Sequence, residues 1–418
     1  MNSTTGPGAG TAAGFSRRAL LGGAGAGLVA GAAGGAVLGR ATAAASAPAG
    51  PAGSGALGAG QVPFHGARQA GIVEPQQARV HLAAFDLLPG AGRAELRTLL
   101  RRWSGTSARL GRGEPADEYE SRIAADAGPC SLTVTFGFGS TLFDKAGLAE
   151  HRPRALDPLP DFPEDALDRA RSDGDLWVQI GADDALVAFN ALRVLQRQAA
   201  GTAAQRWQMT GFGRTPGATA RPTTGRNLMG QVDGTNNPRP QDPDFAAKVF
   251  CGADEPGWLA GGSYVVLRRI RMLLDNWDNL PEDRQERVIG RRKSDGAPLS
   301  GGGEHTPVDL AAQNADGTLA VPADAHVRVA APASNGGAAM LRRGFSYHDG
   351  MLPDGSPDAG LLFLAFQADP RRGFVPVQRK LARGDGLSRF LRHEASGLYA
   401  VPPGAPEGGY VGQALLEG

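Results

Sequence analysis

The sequence is short of the residues that most often crosslink a chain or hold a metal ion. Its 418 residues include only two cysteines, Cys130 and Cys251, so neither a disulfide scaffold nor a cysteine metal cluster is available. The two thiols either pair with each other outside the cell or stay free and buried. An excess of one charge is also missing, because 43 Lys and Arg side chains face 42 Asp and Glu side chains. That balance argues against nucleic acid as a partner.

Histidine is present but not clustered. His65 and His305 lie in glycine-flanked loops, yet neither has a second His, Cys or acid at metal-binding spacing. His81 falls within a predicted strand and is interpreted as a packed residue, and His151 as a solvated one. No zinc or non-haem iron site is therefore predicted from spacing.

The N-terminal region lacks a strongly apolar run. The uncharged stretch from Ala19 to Gly39 has the length of a membrane span, but glycine and alanine make it only weakly apolar. It follows Arg17 and Arg18, which together predict an export signal over residues 1–47. The arginine pair resembles the twin-arginine signal that exports folded proteins, the alternative being a chance pair before a general secretory signal. Residues 48–62, rich in Pro, Gly and Ala, are predicted to form a flexible linker.

From residue 63 onward the hydrophobic pattern gives the same order of elements twice. In the first half we predict strands at 78–88 and 131–139, a helix at 93–103, and a strand running into a helix at 175–198. In the second half we predict strands at 263–272 and 325–331, a helix at 273–290, and a strand running into a helix at 361–381. Two β-α-β-β-α-β units follow, a ferredoxin-like N-terminal half at 63–210 and a similar C-terminal half at 211–418. The predicted fold class is α+β, with antiparallel sheets packed together and helices outside.

Three sites in the C-terminal half could carry chemistry. Asp233 lies in GRNLMGQVDGTNNPRP, which reads either as a surface turn or as a tight bend that aims a carboxylate at a ligand. His326, in the predicted strand 325–331, shares a face with Arg328, away from the valines on either side of Arg328. A tandem arginine pair follows at Arg342 and Arg343. An imidazole ligand, a base and a cation are the groups that a haem peroxidase requires.

Local motifs make this interpretation specific. Five of them, in the order of the family, resemble the dye-decolorizing peroxidases, a family of haem enzymes. They are FHGARQAGI (64–72), with Arg68 where His is usual, NLMGQVDGTNNP (227–238), GRRKSDGAPL (290–299), the histidine segment ADAHVRVAAPAS (323–334) and MLRRGFSY (340–347). The similarity is strongest to the exported long form of the family, which includes deferrochelatases.

The resemblance implies a role for each matching residue. His326 would be the proximal ligand of haem b, one per chain, and Asp233 the distal acid and base. Arg342 would stabilise charge on the distal side, with Arg343 as the competing choice. Asp385 would accept the imidazole N–H of His326. The expected haem contacts are Gly234, Thr235, Asn236, Ala331, Pro332, Ala333 and Arg342, although this sequence reads A-A-P-A where A-N-P-R is commoner.

The resemblance also implies a function. The protein would reduce hydrogen peroxide through an oxyferryl intermediate and oxidise dyes, phenols or metal ions. The alternatives are release of iron from haem, as in a deferrochelatase, and a redox-silent haem-binding module. Export by the twin-arginine machinery would place it outside the cell or in the cell envelope, and a homo-oligomer is compatible with the sequence. Aromatic side chains that could pass electrons are Trp207, Trp258, Trp277, Tyr399 and Tyr410, although core packing is the simpler account of each.

Overall fold

The computed structural model describes residues 57–219 and 223–418. The predicted export signal, including Arg17 and Arg18, and the linker up to residue 56 lie outside the described residues. Within the described part of the chain, no helix has the length and apolar character needed to cross a membrane.

The N-terminal half alternates strands with helices that pack on one face of the sheet. The helix at Arg93–Leu110 buries Leu96, Leu99, Leu100 and Trp103, which recur at helical spacing, and so turns its apolar stripe to the sheet. The elements are β1 (Arg79–Leu87), α1 (Arg93–Leu110), β2 (Thr133–Gly139), α2 (Ser140–Lys145), β3 (Leu176–Ala182), α3 (Ala185–Ala199) and β4 (Ala203–Phe212).

The C-terminal half repeats this order with more irregular chain between the elements. Its elements are α4 (Phe245–Val249), β5 (Ser263–Met272), α5 (Leu274–Asp278), α6 (Glu282–Ile289), α7 (His326–Val329), β6 (Leu341–Arg342), β7 (Phe345–Met351), β8 (Pro357–Gln367), α8 (Phe374–Gly384), β9 (Leu391–Val401) and α9 (Gln413–Glu417). The long segment between α6 and β6 carries only α7 and a short 3-10 turn at Pro332–Ser334.

The strands close into one antiparallel barrel. The order is β5-β9-β2-β3-β1-β4-β7-β8, and β8 then pairs with β5 to close the ring of eight strands. Strand β6 does not add a ninth strand to the barrel, because Leu341 and Arg342 pair with the same edge of β8 as β7 does. The four strands of each half have the same spatial order, as expected for duplicated ferredoxin-like units. The predicted α+β fold class is confirmed.

Two predicted elements are wrong. Residues 325–331 are not a strand, because His326–Val329 form the short helix α7, in which Ala325 O accepts from the amides of Arg328 and Val329. Alternating valines favoured a strand, but the Arg328 guanidinium binds surrounding carbonyls and fixes the turn. The second strand of this half is instead β6 with β7. The predicted helix 273–290 is divided into α5 and α6 around Pro281, which directly precedes α6.

The described residues form three apolar clusters, one inside the barrel and two outside it, of which the smaller is built around Trp277. The barrel interior is filled by side chains such as Leu82, Trp177 and Leu364, all fully buried. The outer face of the N-terminal sheet forms a second core with α1 and α3, in which the Trp103 and Phe136 rings stack 5.6 Å apart. The corresponding outer face of the C-terminal sheet is only partly covered, and the cavity described below lies there.

Candidate active site

A cavity lies against the outer face of β7 and β8. Its volume is about 330 Å³. Leu361 and Phe363, which alternate along β8 with side chains that point into the barrel, form its apolar wall. Asp233 and Arg342 also line it. Most of the other lining side chains are polar, among them Asn227 and Arg226. The volume is within the range of small-molecule sites.

Asp233 lies at one arm of a tight hairpin. Its amide donates to Gly225 O at 2.9 Å, and Arg226 and Val232 form a bridge between the two arms. Gly234 follows with φ of +119°, a conformation that side chains other than glycine rarely adopt. The predicted bend is therefore present, and it directs the carboxylate into the cavity.

Arg342 binds the Asp233 carboxylate. Its Nη1 donates to Asp233 Oδ1 at 2.9 Å. The side chain of Arg342 is 29% exposed and that of Asp233 is 30% exposed. The backbone of Arg342 is held by Asn237, whose Nδ2 donates to Arg342 O at 2.7 Å and whose Oδ1 accepts from Arg342 N at 3.2 Å. The turn and strand β6 are thus tied together at the cavity wall.

Arg343 points away from the cavity. Its guanidinium is buried and donates to Glu74 O at 2.6 Å and to Gln77 Oε1. Burial lowers the pKa of Arg343 to about 10. Of the two arginines predicted as alternatives, the geometry favours Arg342 as the cation at the site, and Arg343 joins β6 to the segment before β1.

His326 is held by a buried carboxylate. Its Nδ1 lies 2.7 Å from Asp385 Oδ2, and the Asp385 side chain is only 1% exposed. Asp385 is fixed in turn, because its Oδ1 accepts from the Leu387 amide at 2.9 Å. Burial works against the charged imidazolium, but the Asp385 carboxylate outweighs it and raises the pKa of His326. The contact with Asp385 expected from the sequence is present.

The residues present fit a haem. Nδ1 of His326 is occupied by Asp385, so Nε2 is the nitrogen available to a metal. Arg342 and Asp233 both influence the titration of His326, which places them within electrostatic reach of the imidazole. In the described ranges no group of three or more His, Cys, Asp or Glu residues could hold a metal ion by itself. His326 is not among the residues that line the cavity. A single oriented imidazole suits a metal that brings its other ligands with it, as a porphyrin iron does.

Comparison with known proteins identifies the family. Residues 69–213 match the N-terminal domain of the Dyp-type peroxidases, and residues 224–406 match the C-terminal domain. The chain belongs to the Dyp-type peroxidase family. The resemblance predicted from the motifs is confirmed, and with it the predicted class of enzyme, a haem peroxidase of the dye-decolorizing type.

Relatives of this peroxidase match over most of their length. A dye-decolorizing peroxidase from Thermobifida fusca (strain YX) is 46% identical over 363 residues, which cover 84% of each chain. A deferrochelatase from Escherichia coli (strain K12) is 37% identical over 371 residues, covering 85% of this chain and 87% of that protein. A DyP-type peroxidase structure from Streptomyces coelicolor superposes with a TM-score of 0.85 at 64% identity, covering 87% of this chain and 98% of that one. Solved structures of more distant relatives, from Rhodococcus jostii, contain haem.

The other residues predicted to contact haem differ in how far they are buried. Thr235 is partly buried, and its hydroxyl donates to Glu304 Oε1 at 3.0 Å. Asn236 is exposed. In the segment after α7, Ala331 is partly buried, and Pro332 and Ala333 are exposed. The five aromatic residues considered for electron transfer are all buried, as core packing requires: Trp207, Trp258, Trp277, Tyr399 and Tyr410.

Sequence reasoning missed two residues that touch this site. Asn237 adjoins the predicted Asn236, and nothing in the sequence distinguishes the one that reaches Arg342. Glu304 lies in the loop GGGEHTP, 71 residues after Asp233, and contacts the hairpin from outside. A carboxylate in a glycine-rich loop has no periodic pattern that would indicate a partner so distant in sequence.

Proposed function

We propose that this protein is an exported peroxidase that would hold one haem b per chain through His326 Nε2 and would use Asp233 and Arg342 in the reaction with peroxide. The observation that carries the proposal is the Asp233–Arg342 pair at the cavity wall, within electrostatic reach of a histidine fixed by Asp385. A redox-silent haem-binding module would need only the histidine. Gly234 allows close approach at the cavity, and Thr235, Ala331 and their neighbours are proposed as further contacts.

The residues divide the chemistry between them. Bound haem supplies the redox centre at which the peroxide O–O bond is broken. Asp233 Oδ1 is engaged by Arg342, whereas Oδ2 has only a long contact of 3.4 Å from Asn227 Nδ2, so Oδ2 is free to accept a proton from the inner peroxide oxygen and deliver it to the outer one. The Arg342 guanidinium stabilises the negative charge that develops on the departing oxygen. Asp385 orients the imidazole and increases its basicity as a ligand.

The substrates follow from the shape of the site. Hydrogen peroxide is small enough to enter a cavity of about 330 Å³ beside Asp233. Dyes and phenols are large, so we infer that they or a metal ion donate electrons from outside. The predicted twin-arginine signal supports export of the folded protein with its cofactor.

The direct test mixes purified holoprotein with one equivalent of hydrogen peroxide and follows the Soret band in a stopped-flow instrument. We expect a rapid change in the wild type and a rate at least about 100-fold lower in Asp233→Asn, since a positioned proton carrier contributes about 10²–10⁴-fold. A similar loss is expected in Arg342→Ala, since removing one group that stabilises developing charge costs about 10²–10³-fold. Arg112→Ala is the matched arginine control, because its side chain is 44% exposed and bound to Glu114 in the N-terminal half. His326→Ala should bind haem weakly. If the Soret band of the wild type does not change at any peroxide concentration, the proposed peroxidase activity is excluded.

Release of iron from haem is a second candidate, because curated relatives at 37% identity are deferrochelatases. The test incubates the holoprotein with a reductant and looks for the fluorescence of iron-free porphyrin. Accumulation of porphyrin together with a slow reaction with peroxide would favour this role over the first.

A further inference from the structure

Glu304 joins the two arms of the hairpin that carries Asp233. Its Oε1 accepts hydrogen bonds from the hydroxyls of Thr224 and Thr235. Thr224 precedes Gly225, the acceptor of the Asp233 amide, and Thr235 lies two residues after Asp233. The carboxylate therefore closes the hairpin at its open end, beside the residue that would carry the proton.

The position of Glu304 is itself fixed. Arg291, which is buried, donates from Nη1 to Glu304 O at 2.9 Å and to Gly296 O at 2.8 Å. Burial lowers the pKa of Arg291, and the charge of Glu304 acts in the opposite direction. The Glu304 side chain is 24% exposed, so its two hydroxyl bonds are partly shielded from competing water.

We propose that Glu304 is a positioning residue for the reaction with peroxide, acting through Thr224 and Thr235 on Asp233. This inference rests on the proposed function. The Asp233 amide joins the arms at Gly225, and Arg342 restrains the carboxylate. Asn237 ties the second arm to β6, and Glu304 links Thr235 in that arm to Thr224 in the first. Displacement of a catalytic group by about 1 Å can lower a rate by as much as 100-fold. The role of Glu304 is to accept two hydrogen bonds, so Gln in its place is expected to preserve it.

The test compares five variants of the holoprotein, one of them a control. Glu304→Ala should lower the second-order rate constant for peroxide about tenfold, and Glu304→Gln should keep it within about threefold. The double variant Thr224→Val with Thr235→Val should show the same loss of rate as Glu304→Ala. Combining all three substitutions should lower the rate no further, because each set removes the same two hydrogen bonds. Asp309→Ala is the control in the same loop, since Asp309 is exposed and caps only the amides of Ala311 and Ala312.

A second measurement is independent of turnover. Amide hydrogen exchange in the peptide 224–236 should rise in Glu304→Ala, with or without haem, and remain at the wild-type level in Glu304→Gln and Asp309→Ala. Unchanged exchange in Glu304→Ala, or rate losses that add in the triple variant, would overturn the role of Glu304. If the wild type itself fails to react with peroxide, the proposed function fails, and the exchange result still decides whether Glu304 holds the hairpin.

Discussion

The two halves of this protein share one order of elements, but the outer faces of their sheets are covered to different extents. In the N-terminal half, α1 and α3 cover that face, and Phe136 and Val178 are fully buried. In the C-terminal half, Leu361 and Phe363 occupy the outer face of β8 and remain partly exposed, because the corresponding helix is divided around Pro281 and long loops take its place. The same strand order therefore occurs twice, and the candidate site lies where the outer face of β8 is only partly covered.

A side-chain clamp occurs in both halves and shows the same contrast. Gln69 donates to Phe136 O at 2.9 Å and accepts from Phe136 N at 2.8 Å, on the second strand of the first half. Asn237 does the same for Arg342, on the second strand of the second half. The first clamp fixes a core residue, and the second fixes a residue of the candidate site.

The largest expected difference between the halves is in core packing. Phe136→Ala should lower the free energy of unfolding by about 3–5 kcal/mol, because its ring is fully buried and stacks on Trp103. Phe363→Ala should cost about 1–2 kcal/mol, since part of that ring already faces the cavity and loses less burial. Urea unfolding of the haem-free protein measures both. Equal losses would mean that the C-terminal face is packed like the N-terminal one.

The next effect concerns two arginine–aspartate pairs. Arg268 is 1% exposed and binds Asp165, whereas Arg342 and Asp233 are each about 30% exposed, at 29% and 30%. Asp165→Ala should cost about 3 kcal/mol because it leaves a buried guanidinium without a counterion. Asp233→Ala should cost less than about 1 kcal/mol while it abolishes the fast reaction with peroxide. Unfolding midpoints and stopped-flow rates on the same samples separate stability from chemistry, and a large loss of stability in Asp233→Ala would contradict this division.

Much of the fold and of the candidate site could be predicted from the sequence. The duplicated order came from periodicity, and Asp233 and His326 came from motifs. Asp385 was chosen because a histidine ligand usually donates its second N–H to an acid. The strand predicted at 325–331 is a helix because tertiary contacts of Arg328 outweigh the preference of its valines. Asn237 and Glu304 were missed because their partners are remote in sequence, and only the fold brings them together.

The two clamps predict a smaller difference. Gln69→Ala should cost about 2 kcal/mol, because its amide is buried and its loss leaves Phe136 N and O without partners. Asn237→Ala should cost about 1 kcal/mol or less and slow the reaction with peroxide severalfold, since Arg342 then moves more freely. Thermal unfolding and peroxide rates distinguish the two roles. A Gln69→Ala protein with normal stability would show that the N-terminal clamp is dispensable.

The smallest expected effect is on the response to acid. Burial and the nearby Arg268 lower the pKa of His393, in the C-terminal half, to about 3, and burial also lowers that of His81 in the N-terminal half. A histidine that stays neutral when folded stabilises the fold above its unfolded pKa of about 6.5, and this stability is lost as the pH falls toward the folded pKa. Because the His393 ring is only partly buried, we expect a loss of about 1 kcal/mol between about pH 6.5 and pH 5. His393→Gln should flatten the pH dependence of unfolding over this range, and His81→Gln should flatten it less, because no buried cation adds to its shift. If the free energy of unfolding changes with pH by the same slope in wild type and in His393→Gln, the His393 ring takes up its proton in the folded protein as readily as in the unfolded chain.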